Sequence, residues 1–174
     1  SQTLWGDHSR YLQSYLERYP GHYHTGDGGY LDADGYVHIM GRTDDVINVS
    51  GHRLSTGEME DLVARHADVA ECAVIGVSDE IKGEVPLALV VLKDGSDVSP
   101  SVLQTQLVAQ ARESLGALAC LQRVLVVKRL PKTRSGKILR AVLRKIAAQE
   151  AFVAPSTIDD PAILEEIAQV LAAR

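Results

Sequence analysis

Residues 55–92 read STGEMEDLVARHADVAECAVIGVSDEIKGEVPLALVVL, and the fold is decided in this run. Ser55-Thr56-Gly57-Glu58 has the spacing of a capping box, in which a serine hydroxyl and a glutamate carboxylate satisfy free amides at a helix start. Met59, Leu62, Val63 and Ala67 then recur on one face at helical spacing. After that the period changes. Stretches 70–77 and 85–92 are apolar and rich in β-branched residues, as strands are. Upstream, Val46, Ile47 and Val49 form a short strand that ends at Ser50-Gly51. Downstream, Ser99-Pro100 supplies a cap and a first helical position for a helix with Leu103, Leu107 and Ala111 along one side. A strand over 121–129 and a strong helix from about Ile138 to Gln149 complete the pattern. Three helices against a mixed sheet make this part an α+β domain.

The first 43 residues have a different chemistry. Trp5 and all the tyrosines, from Tyr11 to Tyr36, lie there, and Phe152 is the sole aromatic beyond. Such a shift in composition implies two separate cores, with a seam soon after Tyr36. Tyr11, Leu12, Tyr15, Leu16 and Tyr19 place a short amphipathic helix over 9–19, ended by Pro20-Gly21. The glycine-rich stretch 23–29 reads as a loop. Tyr30-Leu31 and the run from Tyr36 to Met40 read as strands joined by the turn Asp32-Ala33-Asp34-Gly35. That turn is no calcium loop, because Val37 and Thr43 stand where the glycine and the glutamate would be needed. An opening on Tyr-rich helix without a methionine leads us to expect a piece of a longer protein.

Composition excludes several classes. With 45% hydrophobic and 24% charged residues, the 174-residue chain is neither disordered nor of low complexity. No apolar run approaches the roughly 20 residues that cross a bilayer. A net charge of -5 argues against a nucleic-acid partner. Cys72 and Cys120 match no metal spacing and suit a reducing compartment.

Chemistry concentrates at Lys132-Thr133-Arg134-Ser135-Gly136-Lys137. Three cations ahead of a helix start repel one another and the positive end of the macrodipole, which a bound anion would relieve. Pro131 and Ile138 occupy positions where a Walker loop needs a glycine and a hydroxyl, so that motif is absent. A solvated basic turn and an anion site both remain open. Arg42, Asp44, Asp45, Gly51 and Arg53 cluster at the seam, where a plain charged linker is the other reading. His22 and His24 lack a third ligand, and no metal site is expected. Arg140, Arg144 and Lys145 read as the solvated face of the last helix.

These residues resemble the adenylate-forming acyl-CoA synthetase superfamily, specifically the C-terminal portion of its short-chain acetyl- and propionyl-CoA synthetase group. The run from Tyr23 to Asp27 resembles the family's Tyr-x-Thr-Gly-Asp loop. The stretch from Gly41 to Leu54, followed by Glu58 and Glu60, resembles its hinge and the strand beyond, and the run from Pro131 to Lys137 its catalytic-lysine loop. Ser156-Thr157-Ile158-Asp159-Asp160-Pro161 resembles the propionyl-CoA synthetase side of the group. Departures are His24 in a variable slot and Ala117-Leu118-Ala119-Cys120 in place of a proline after Gly116.

The resemblance implies that residues 1–43 are the end of a larger N-terminal adenylate-binding domain, otherwise missing, and 44–174 a mobile C-terminal α+β domain. Asp27 would then accept hydrogen bonds from both ribose hydroxyls, with Arg42 beside the ribose and phosphate. Lys137 would be catalytic, bridging the carboxylate and the α-phosphate as pyrophosphate leaves. Asp44 would be the hinge, Gly51 would border the pantetheine tunnel, Arg112 would meet a CoA phosphate, and Arg53 would steer a phosphate in one of the two half-reactions. Implied partners are propionate or acetate, ATP with Mg2+, and CoA. A lysine acetyltransferase and deacetylase acting on Lys137 are further implied partners, and neither nucleic acid nor membrane is. The implied compartment is the cytoplasm, or the mitochondrial matrix in a eukaryote. The chain alone is expected to be inactive. Rival readings are a peptide-synthetase adenylation domain, which a carrier domain would normally follow, and a non-catalytic interaction module that keeps the fold.

Overall fold

A computed structural model describes residues 3–116 and 119–172. They form two compact units, Ser1–Asp44 and Asp45–Arg174. In the first unit, helix α1 (His8–Tyr15) is capped by Asp7, whose carboxylate accepts from the Arg10 amide. It is shorter than the spacing suggested. The Tyr15 carbonyl accepts from the His24 amide at 2.8 Å, and the Tyr15 and Tyr23 rings stack at 4.9 Å, so the returning chain ends the helix before Tyr19. Strands β1 (Asp27–Leu31) and β2 (Val37–Arg42) pair antiparallel, so the stretch read as loop already contributes Asp27 to a strand. Asp32 builds the turn between them by accepting from the amides of Asp34 and Tyr36. A short 3-10 turn, Thr43–Asp45, leads out.

The second unit is organised by β5 (Val69–Asp79) and β6 (Gly83–Leu92), paired antiparallel along their length. Alternate residues point to opposite faces, and both faces are buried. Val74, Ala88 and Val90 join the core beneath α2 (Thr56–Ala64) and α3 (Pro100–Leu115). Ala73, Ile75, Leu87 and Leu89 join a second core beneath α4 (Arg140–Ala147) and α5 (Ile163–Ala172). This two-sided cover is why β6 is a continuous apolar run and not an alternating one. Strands β3 (Val46–Val49) and β4 (His52–Ser55) form a hairpin joined to β6 at Val49 and Gly83, and β7 (Arg123–Val126) lies parallel to β6. The sheet is therefore mixed and the class α+β. Helix α5 is an addition to the three helices expected. Its sequence cue was present: Asp160 accepts from the Ala162 amide beside Pro161, and Ile163, Leu164, Ile167 and Leu171 recur on the buried face.

The serine part of each expected cap is present. Ser55 Oγ accepts from the Glu58 amide and Ser99 Oγ from the Val102 amide.

Candidate functional site

In the first unit, Asp27 opens β1 and Arg42 closes β2, and the pairing register sets them opposite each other. Arg42 Nη1 donates to the Thr25 carbonyl at 2.9 Å and stands 3.6 Å from Asp27 Oδ1. Both side chains are exposed, 38% for Asp27 and 51% for Arg42, so the pair contributes little stability and remains available to solutes. Gly26 precedes them at φ +78°, a left-handed conformation that favours glycine, and a Cβ there would press on the Arg42 guanidinium at 2.9 Å. The fold thus presents a carboxylate and a guanidinium side by side, suited to a diol next to an anion.

Between the units the chain is pinned on either side of Asp44. Thr43 donates to the Gly26 carbonyl through both its amide, at 2.8 Å, and its hydroxyl, at 3.0 Å. The Asp45 carbonyl accepts from the buried Thr56 hydroxyl at 2.8 Å. Thr43 belongs to one unit and Asp45 to the other.

Lys137 sits on a small hairpin rather than against a helix start. Leu139 donates its amide to the Pro131 carbonyl, Thr133 donates to the Lys137 carbonyl at 2.8 Å, and the Lys137 amide donates back to Thr133 Oγ1 at 3.1 Å. Helix α4 consequently begins at Arg140, two residues later than the spacing suggested. The expected cation crowding is also partly relieved within the chain, since Lys132 Nζ meets Glu71 Oε1 at 2.6 Å. The Arg134 and Lys137 side chains are exposed, and among the described residues the Lys137 ammonium has no hydrogen-bonding or ion-pair partner.

Gly51 follows Ser50 in the β3–β4 turn, at φ +84° and +48° respectively. No atom lies within 4 Å of where a Gly51 Cβ would be, so strain and not crowding selects glycine there. The Ser50 amide donates to the Lys82 carbonyl, which fixes the turn against the β5–β6 connection. Lys82 also lines a depression of about 260 Å³ with Arg112, Gly116, Cys120 and Gln122, and its Nζ reaches Cys120 Sγ at 3.5 Å. Ala117 and Leu118, part of the departure noted after Gly116, lie outside the described residues. Arg53 is exposed on edge strand β4, opposite Asn48.

The fold therefore groups Asp27 with Arg42, and the Gly51 turn with Arg112 through Lys82. It separates that second group from Lys137. The lysine hairpin is tied to Glu71 near the start of β5, and the glycine turn to the connection after Asp79. Eight residues of extended strand between those points span about 26 Å.

Two features were not legible as functional in the sequence. Lys82 carried no motif. Arg140, read as solvated surface, is instead half-buried and clamped to Glu60: its Nε donates to Glu60 Oε1 at 2.8 Å, and Glu60 Oε1 also accepts from the Val74 amide at 2.9 Å. That ion pair raises the guanidinium pKa further. It also offsets the cost of a cation in the first turn of α4.

Comparison with known proteins adds to this geometry. A family model described as the AMP-binding enzyme C-terminal domain matches residues 58–137. An uncharacterised protein of Pseudomonas aeruginosa is 74% identical over 174 residues, covering 100% of this chain and 28% of its own length. The human protein named acetyl-coenzyme A synthetase 2-like, mitochondrial, is 48% identical over 172 residues, covering 98% of this chain and 25% of its own length. Among solved structures, acetoacetyl-CoA synthetase from Streptomyces lividans superposes with a TM-score of 0.79 at 26% identity, covering 97% of this chain and 25% of that one. The chain spans about a quarter of the length of the curated relatives it matches.

Proposed function

Because the chain belongs with the C-terminal portion of the adenylate-forming acyl-CoA synthetases, we propose that it is that part of an ATP-dependent, AMP-forming ligase activating a short carboxylic acid, propionate or acetate. In the first step a carboxylate oxygen attacks the α-phosphorus of ATP and pyrophosphate leaves. In the second, the CoA sulfur attacks the acyl carbon, the bond from that carbon to the phosphate oxygen breaks to release AMP, and the thiol proton passes to solvent.

Each site residue has a chemical task in this scheme. Asp27, with two acceptor oxygens in the open, would take both ribose hydroxyls, and the adjacent Arg42 guanidinium would lie beside the ribose and phosphate. The exposed ammonium of Lys137, without a partner among the described residues, would bridge the carboxylate and the α-phosphate, where negative charge accumulates as the new bond forms. Among the described residues no group of three His, Cys, Asp or Glu could hold a metal, so Mg2+ would arrive on the phosphates of ATP. Asp44 would act as the hinge, since it is the one residue between an anchor to the first unit and an anchor to the second. A rotation there would exchange the lysine end of the second unit for the end carrying Gly51 and Arg112. Gly51 would border the path of the pantetheine arm, and Arg112, with Lys82 nearby, would meet a CoA phosphate. Arg53 would steer a phosphate.

The observation that carries this reading is the separation of Lys137 from the Gly51 and Arg112 end, on a unit that follows Asp27 and Arg42 in the chain across the Thr43–Asp45 turn. A two-step reaction needs two such ends in turn. The tail Ser156 to Pro161 favours propionate, and the name of the human relative favours acetate. No helix among the described residues is long and apolar enough to cross a membrane, and we place the enzyme in the cytoplasm or, in a eukaryote, the mitochondrial matrix. Acetylation of Lys137 by an acetyltransferase, reversed by a deacetylase, would cancel the charge needed by the first step and spare the second. The full-length parent is expected to catalyse ATP–pyrophosphate exchange with propionate and acetate and more weakly with butyrate, and the 174-residue chain alone is expected to make no acyl-CoA. Absence of exchange with every short acid would overturn the proposal.

A further inference from the structure

We infer that the tail segment Thr157-Ile158-Asp159 is a positioning element for Lys137, acting through Thr133. The inference rests on the reading of Lys137 as the adenylation lysine and adds to it a part of the chain to which no role was given.

The lysine hairpin has few internal ties. Thr133 holds Lys137 by main-chain and hydroxyl bonds, the Gly136 amide donates to the Thr133 carbonyl, and Thr133 Oγ1 and Ser135 Oγ lie 2.9 Å apart. A two-stranded hairpin of this length is marginal in water, whereas a third strand gives it order. The tail provides that strand. The Arg134 amide donates to the Thr157 carbonyl at 3.0 Å, the Asp159 amide donates to the Lys132 carbonyl at 2.9 Å, and Thr133 bridges Ile158 antiparallel between them. The order across this small sheet is tail, then Thr133, then Lys137.

The tail itself is anchored. Ile158 is 5% exposed and belongs to the core that holds Leu143, Ile163 and Ile167. Two residues later, Asp160 caps the turn before α5 and pairs with Arg129, which also donates to Glu166 on α5 at 3.1 Å. Rigid core is thus connected to the Lys137 main chain through Ile158 and Thr133. The long Lys137 side chain has no partner among the described residues, so the placement of its ammonium depends on the backbone beneath it. A site whose supporting contacts are loose loses rate even when every reacting group is present.

Three variants of the full-length parent test this, each measured in both half-reactions. Asp159→Pro deletes the amide that bonds Lys132, and a proline there favours extended backbone at Ile158 before it. Ile158→Ala loosens the anchor, and Ile158→Val is the conservative rescue. For Asp159→Pro and Ile158→Ala the expected result is a fall of about 10- to 100-fold in the kcat of propionate-dependent ATP–pyrophosphate exchange, with KM for ATP nearly unchanged. Conversion of supplied propionyl-adenylate to propionyl-CoA stays within about twofold of wild type, since Lys137 is not used there. Ile158→Val restores exchange. Trypsin should also cut after Arg134 or Lys137 faster in Asp159→Pro than in wild type, a readout independent of catalysis. Equal loss in both half-reactions would make the tail a merely structural support and overturn the inference, as would unaltered exchange in Asp159→Pro and Ile158→Ala. Lys137→Ala, run alongside, separates the two levels. If it abolishes exchange while the tail variants do not, only the tail inference falls; if it retains exchange, the proposed role of Lys137 falls as well.

Discussion

Replacing Glu60 by alanine removes a carboxylate that ties α2, β5 and α4 together. In the native unit the Glu60 side chain is 15% exposed and that of Arg140 24%. The carboxylate accepts from Val74 on β5 and from the Arg140 guanidinium at the start of α4. Without it the Val74 amide loses its acceptor, which costs about 1–3 kcal/mol if no water replaces it. Arg140 becomes an unpaired, partly desolvated cation at the positive end of a helix, and breaking a fully buried pair costs about 3–5 kcal/mol. Both groups keep some contact with solvent, so the two costs overlap and are discounted, leaving about 2–4 kcal/mol. Urea unfolding followed by circular dichroism reads this directly. With a slope of about 2 kcal/mol/M the midpoint falls by about 1–2 M at unchanged slope. Adding Arg140→Met to Glu60→Ala removes the stranded charge and should recover part of the loss. A midpoint within about 0.3 M of wild type, or no recovery in the double variant, would refute the reasoning.

Leu143→Ala empties a fully buried position on the inner face of α4 and should cost about 2–5 kcal/mol, visible as a lowered midpoint in thermal unfolding; a loss below about 1 kcal/mol would mean that this core can collapse around the gap. Burial, with Glu60 next in effect, pushes the Cys72 thiol up to about 11, so at pH 8 iodoacetamide should label it slowly in the native chain and readily in urea, as mass spectrometry would show. Rapid native labelling would contradict that. The amides of Lys82 and Ile81 hold the Asp79 carboxyl below its ordinary 3.8. The unfolded chain therefore takes up that proton first, and the stability due to Asp79 is complete above the ordinary value and lost as pH falls through the lower folded one. Asp79→Asn should flatten that part of the acid limb in pH-dependent unfolding, and an unchanged limb would count against the assignment.

Local signals carried most of the fold. The serines at 55 and 99 cap the helices they precede because capping depends on residues three apart. The unbroken apolar run of β6 already required cover on both faces of the sheet, and α5 supplies part of it. That helix went unread although Asp160-Pro161 and its apolar spacing were present. The lysine motif was legible, but not its conformation: the bond from Leu139 to the Pro131 carbonyl and the bridge from Lys132 to Ile138 close a hairpin that delays to Arg140 a helix whose spacing starts at about Ile138. Partners distant in sequence were the least accessible. Glu60 follows the stretch that resembles the family's hinge, yet nothing local pairs it with Arg140, and a long amphipathic side chain has the same pattern whether it is solvated or clamped. Lys82 reaches the Arg112 depression only because the β5–β6 connection folds against α3 and the chain beyond it.

The central claim is that Lys137 serves the first half-reaction and leaves the second to the opposite end of the domain. The most direct test compares full-length wild type with Lys137→Ala in propionate-dependent ATP–pyrophosphate exchange and, separately, in conversion of supplied propionyl-adenylate to propionyl-CoA. The account predicts that exchange is abolished while thioester formation persists at close to the wild-type rate. Exchange that survives the substitution, or loss of both reactions together, would contradict it.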